Sequence, residues 1–348
     1  MKGFALTAAA VAATATTSFA GGIDRSGQDV SILFEEGNYV KLNFASVAPD
    51  VPSSMPGFAS QSATDYITFS LGIKMQVNEK LSFTLIADEP FGADIRYADG
   101  ALSALAPLPD PNARAIVDSR AITGLLRYEF GNGFSIHGGV RAQKVKGEIL
   151  SGDGFLTAES KFDFGGVAGV AYEIPDIALR VALTYNTQIS HDLTGLHNFA
   201  ATTGNVTIPQ SFNLDFQTGI AENTLLFGSV RHVSWAGTTL STNNGGGDTD
   251  WVQFVDDSTS FELGLGRKLN DNWSVALIAG YEEGAETGTT FLAPTGTSKS
   301  IGLGATYTKD NFKISGGVRY VSFDEKVVNG VPFDGNAVAA GISLGISF

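Results

Sequence analysis

Residues 336–348, NAVAAGISLGISF, decide the fold. Val338, Ala340, Ile342, Leu344, Ile346 and Phe348 fall on one face of a β-strand and Ala337, Ala339, Gly341, Ser343, Gly345 and Ser347 on the other, because strand side chains alternate with a period of two. One face is apolar, the other small and polar. The pattern recurs. Phe212, Leu214 and Phe216 alternate with Asn213, Asp215 and Gln217, and Trp273, Val275, Leu277, Ala279 and Tyr281 with Ser274, Ala276, Gly280 and Glu282. Aromatic residues mark strand ends, as expected of a barrel facing lipid outside and water inside.

Turn chemistry punctuates the chain at Asn78–Lys80, Gly131–Gly133, Pro175-Asp176, Glu222-Asn223, Asn270–Asn272 and Lys309–Asn311, where Asn, Asp, Gly and Pro tolerate tight-turn dihedrals. Each interval between these turns holds two strands joined by a longer, more polar connection. Short turns at one end and long loops at the other are the polarity of an outer-membrane barrel. The expected fold is therefore all-β, a transmembrane antiparallel barrel of about fourteen strands spanning 38–348. Strands are expected over 177–189, 206–221, 224–236 and 258–269, with loops over 190–205 and 237–257.

The N-terminus agrees with export. Lys2 precedes an apolar run from Phe4 to Ala15, followed by Ser18-Phe19-Ala20, a small-x-small cleavage site, so residues 1–20 are expected to be a signal peptide. The chain carries 22 basic and 36 acidic residues, a net charge of -14, which argues against a nucleic-acid partner. It has no cysteine, hence no disulfide or thiolate metal site. Beyond the signal, no apolar run approaches the roughly 18 to 20 residues of a membrane helix. A membrane crossing must be made by strands.

Several strands resemble the FadL/TodX family of outer-membrane transporters for long-chain fatty acids and other hydrophobic compounds. The resemblance lies in Leu81-Ser82-Phe83 through Pro90-Phe91-Gly92 to Tyr97, in Gly138-Gly139-Val140-Arg141, in Ser229–Trp235 and in the closing strand. It implies a lumenal plug, here residues 21–37, and an inward kink of the third strand that opens the wall sideways. Phe34-Glu35-Glu36-Gly37 stands where the family commonly has Asn-Pro-Ala. It also implies residence in the bacterial outer membrane, contact with outer-membrane lipid, and insertion by the barrel assembly machinery, to which the terminal Phe348 would be the signal.

Pro90 and Gly92 give an independent reason for a break, since proline has no N–H for a ladder and glycine weakens pairing; a harmless bulge is the alternative. A fatty-acid tunnel needs an apolar path with a cation at one end. Alternation turns Lys41, Lys74, Arg127, Arg141, Arg180, Lys313 and Arg319 inward, together with Glu129, Asp163, Asp215, Glu262 and Glu282. Mutual pairing accounts for most of these. Arg141 and Arg319 are the candidates for a cargo carboxylate, Arg231 a weaker one, and Phe34, Phe91, Phe155 and Phe323 for its tail. Pro90, Phe91 and Gly92 are the candidate lateral opening.

Other chemistry is poorly supported. His137 beside Ser135 lacks the third polar group of a nucleophilic site, so no enzyme is expected. Asn243–Asp250, NNGGGDTD, lacks EF-hand spacing, and neither a metal nor any other cofactor is called for. The alternative function is a general porin or a purely structural barrel, but wide water channels usually take about sixteen to eighteen strands.

Overall fold

The computed structural model describes residues 23–55, 61–97, 113–151, 153–284, 287–288, 293–328 and 330–348. The expected signal peptide, residues 1–20, and the loop leucines Leu102, Leu105 and Leu108 lie outside the described residues.

Fourteen strands follow one another around a closed barrel. They are β1 (Tyr39–Asp50), β2 (Tyr66–Gln76), β3 (Leu81–Asp88 and Gly92–Arg96), β4 (Arg114–Glu129), β5 (Phe134–Ser151), β6 (Gly154–Ser160 and Asp163–Ile174) and β7 (Leu179–Asn186 and Ile189–His197). The second half holds β8 (Ala200–Ile208 and Ser211–Ala221), β9 (Thr224–Val233 and Thr239–Asn243), β10 (Asp248–Gln253 and Ser258–Lys268), β11 (Trp273–Glu283), β12 (Ser298–Lys309), β13 (Phe312–Val328) and β14 (Val331–Ser347). Neighbours pair antiparallel, and β14 closes on β1 from Tyr39↔Ser347 to Asp50↔Asn336. Closure leaves no edge strand, which is how a sheet satisfies its backbone in a membrane.

Two expected loops are strands instead. Residues 189–208 form a hairpin that extends β7 and β8 to a turn at Asn198 and Phe199, both with positive φ. Residues 239–253 likewise extend β9 and β10 to a turn around Asn244–Gly247. Their exposed face is polar because this part of the wall stands clear of the apolar band; Thr, Asn and Asp there suggest loop by composition while still alternating as strand.

The outer surface carries the apolar band. Leu126, Ile136, Val140, Leu263, Leu277, Leu303 and Val318 are exposed, a pattern a soluble sheet would not tolerate. Aromatic pairs flank it. Tyr128–Phe130, Phe134–Tyr172 and Trp273–Tyr307 sit towards the short turns, and Phe44–Phe69, Tyr185–Phe212 and Phe261–Tyr281 towards the long connections.

The interior is divided by height. Towards the long connections it is an apolar core in which Phe91, Tyr97, Ile149, Leu156, Trp235, Trp251, Phe323 and Phe333 pack together. Towards the short turns it is polar and holds buried Lys41, Lys74, Arg127, Arg141, Arg231, Lys313 and Arg319. The inward orientation expected of these cations is observed.

Candidate channel and lateral opening

Residues 23–37 run inside the barrel and lean on strands around its circumference. Asp24 receives Arg231 Nε at 2.5 Å, both side chains being shut off from solvent. Asp29 pairs with Lys41 at 3.3 Å and Glu35 with Lys313 at 3.2 Å. Lys74 donates to the Glu35 carbonyl, Arg127 to the Leu33 carbonyl at 3.2 Å, and Asn213 to the Gly27 carbonyl at 2.7 Å. A 3₁₀ turn, Ser31–Phe34, presents Phe34 between two guanidinium groups, Arg127 and Arg180, each 4.7 Å from the ring centroid. The inward cations thus have a resident partner. Three carboxylates of this short segment neutralise three of them, which a low-dielectric lumen requires.

The break in β3 opens on one side only. Its ladder with β2 runs from Gln76↔Ser82 to Leu71↔Ala87 and stops. Contact resumes where the Thr64 N–H reaches the Asp94 carbonyl at 3.0 Å. Between them, residues 66–70 of β2 have no partner on β3. Towards β4 the wall holds: pairing passes from Asp88↔Ala121 to Gly92↔Asp118, so one extra residue bulges out of β3. The bulge is pinned by Ser119, whose Oγ accepts the Phe91 N–H at 2.8 Å and donates to the Phe91 carbonyl at 2.6 Å. On the lumen side the N-terminal segment takes up the freed backbone: Arg25 N–H donates to the Pro90 carbonyl at 2.9 Å and Gly92 N–H to the Ile23 carbonyl at 2.7 Å.

A cavity lies at the break, with Asp29, Ile32, Lys41 and Asp88 of the lumen side and Phe44 and Phe69 of β1 and β2 in its lining. A smaller apolar cavity lies above it, bounded by Tyr66, Gly92, Ile95 and Phe323. A third, of about 160 Å³, lies across the lumen beside the segment and mixes charged residues, among them Arg180, Asp215, Arg231, Glu262 and Arg319, with apolar ones such as Phe34, Phe216 and Val321.

The candidate site residues are spread over these regions. Phe91 is buried at the bulge and meets Trp235 edge-on at 5.5 Å, which in turn packs on Phe254. Phe323 belongs to the same apolar core. Phe155 does not join them; it sits half-buried at the tip of the β5–β6 hairpin, its N–H on Asn198. Arg141 is held by Thr123 at 2.9 Å and Asn186 at 3.1 Å. Arg319 is paired with Glu262, while its Nε and Nη2 are buried without a hydrogen-bond partner among the described residues. His137 bonds Thr184 and Ser135 accepts from Arg127, so the two do not form a nucleophilic pair. In the Asn243–Asp250 turn, Asn243 bonds Asp248 within the loop.

Sequence inspection missed Asp24, Arg25, Tyr66 and Ser119. The one available signal was a pair of opposite charges, Asp24-Arg25, in a segment expected to enter a lumen.

These features define a class: a closed fourteen-strand barrel with residues 23–37 inside it and a one-sided break in the third strand. No protein-family model and no curated protein matches the chain. Solved structures do share its fold. A Pseudomonas aeruginosa FadL homologue superimposes with a TM-score of 0.71 at 13% identity, over 90% of both chains. The Pseudomonas putida toluene transporter TodX gives 0.66 at 13% identity, again over 90% of each, and the Ralstonia pickettii toluene transporter TbuX 0.61 at 13%, over 91% of this chain and 90% of that one.

Proposed function

We propose that this protein is a bacterial outer-membrane channel for the uptake of hydrophobic molecules, which enter through the apolar outer half of the barrel and leave sideways between β2 and β3. The observation that carries this is the missing ladder opposite residues 66–70, because a barrel strand normally leaves no backbone unpaired at the depth of the membrane. Residues 21–37 act as the plug, so that passage through the polar half is blocked. The fold shared with FadL- and TodX-type channels supports the same function. A general porin fits less well, since the described lumen is crossed by the segment and its ion pairs.

Long-chain fatty acids are the cargo we favour, with aromatic hydrocarbons the comparison that the toluene transporters suggest. Arg319 supports the former, because its Nε and Nη2 have no hydrogen-bond partner among the described residues and lie beside a cavity. A charge-assisted hydrogen bond of about 1.5 to 3 kcal/mol implies that Arg319→Gln weakens binding of a long-chain acid roughly ten- to hundredfold while leaving its alcohol unchanged. Arg141→Gln, already bonded to Thr123 and Asn186, should do less. Calorimetry in detergent with acid, alcohol and toluene decides the matter: tight binding of toluene with none of the acid replaces the cargo, and equal losses for acid and alcohol remove Arg319 from recognition.

Insertion should depend on the C-terminus. Phe348 is exposed on the lipid face and its N–H closes onto the Asn38 carbonyl at 3.1 Å. Deleting it is expected to lower the yield of folded barrel in outer-membrane fractions; an unchanged yield would show that the assembly machinery reads something else.

A further inference from the structure

Arg25 begins in the lumen and its side chain ends, buried, within the break in the wall. Its backbone lies in the lumen, next to the bridge between Asp24 and Phe91. Its guanidinium lies over Gly92, where an added Cβ would come within 2.4 Å of Cζ and Nε. Gly92 shares the outward face of β3 with Asp94 and Arg96, opposite inward Ala93 and Ile95, and it is paired with Asp118 on the outer face of β4. Arg25 Nη1 is 3.8 Å from that exposed carboxylate. On the other edge of the gap, the guanidinium stacks on Tyr66 of β2, 4.7 Å from the ring centroid. The side chain therefore fills the break and touches both banks.

We propose that Arg25 is the movable stopper of the lateral opening, an inference that rests on the gap being the exit for hydrophobic cargo. Tyr66 and Gly92 line the apolar cavity above, and Arg25 and Glu89 line the cavity at the break, so the guanidinium stands between the two. Cargo passing from one to the other must displace it. Its anchors suit displacement. A pair at 3.8 Å with a half-exposed carboxylate is weak, a stack on one tyrosine is modest, and Nε has no hydrogen-bond partner among the described residues. Its neighbour Asp24 is tied to Arg231 and keeps the backbone in place while the side chain swings. A flat or flexible apolar molecule can take the guanidinium's seat on Tyr66, and Gly92 supplies the room that any larger residue would remove.

The absence of cysteine makes the test direct. Thr68→Cys on β2, at the unpaired edge, becomes the single thiol of the chain, and a maleimide confined to the bilayer by an acyl chain reports its access from lipid in proteoliposomes. Losing the stack and the ion pair should raise the labelling rate about tenfold in Arg25→Ala. Asp118→Asn should give a smaller rise, and Arg25→Lys, which cannot stack flat, a rise between the two. Retention of the heat-modifiable folded band establishes an intact barrel in each. Equal labelling of the parent and of folded Arg25→Ala would overturn the proposal, as would a parallel rise in ion conductance, which would mean that Arg25 holds the whole segment rather than the gap. The readout needs no cargo: faster labelling with no hydrophobic uptake by either the parent or the variant would uphold the stopper and reject the uptake function.

Discussion

Asp24→Leu is expected to turn a closed barrel into one that conducts ions. The Asp24–Arg231 pair is buried on both sides, and Arg231 also binds Gln28, Ser211 and Asn213, so removing the acid strands a cation in the lumen wall. Breaking one partner of such a pair costs about 3 to 5 kcal/mol, which shifts the ratio of seated to released segment by roughly two to three orders of magnitude. The ladders of the barrel are untouched, so folding should survive. Arg231→Met alone should open the lumen for the mirror-image reason, and Asp24→Leu with Arg231→Met should largely close it again, because no charge is then left unpaired. Planar-bilayer conductance of the three variants checks this. Conductance as low as the parent's in both single variants would mean that the other contacts of residues 23–37 hold the segment unaided.

The second large effect concerns the wall. Pro90→Val restores one N–H donor and, with Gly92→Thr, strand-forming side chains where the β2–β3 ladder stops, and the pair should abolish hydrophobic uptake while the folded barrel persists. Arg25 complicates the design, since a Cβ at position 92 meets its guanidinium. Both changes therefore belong in an Arg25→Ala background, where the space is free and any loss of uptake comes from the ladder. Accumulation of a labelled fatty acid in vesicles gives the answer, and continued uptake in a folded triple variant would send the cargo by another route.

What the sequence revealed, and what it did not, follows from where each residue gets its instructions. The closing strand and the inward set Lys41, Lys74, Arg127, Arg141, Lys313 and Arg319 were legible because alternation against lipid is enforced at every second position. The hairpins at 189–208 and 239–253 were not, because both faces of a wall outside the bilayer can be polar; the inward row Ile189, His191, Leu193 and His197 was the signal to follow. Pro90 and Gly92 announced a break, but nothing local said that it would open towards β2 and hold towards β4. That outcome depends on Ser119, 28 residues along the chain from Phe91 of a motif that looked self-contained. The partners of Asp24, Asp29 and Glu35 were hidden for the same reason: the stretch 23–37 meets cations contributed by strands from one end of the chain to the other.

The central claim is that cargo leaves sideways through the gap in β3, and a photoreactive long-chain fatty acid carrying a diazirine at its tail tests it most directly. Flash-irradiated during uptake into proteoliposomes and mapped by peptide mass spectrometry, the label should fall on residues 66–70 and 88–92, the two banks of the opening, and should shift away from them in the Pro90→Val, Gly92→Thr, Arg25→Ala variant. Label concentrated instead at the short-turn end of the lumen, around Tyr39, Lys74 and Lys313, would show cargo running the length of the barrel and contradict the lateral route.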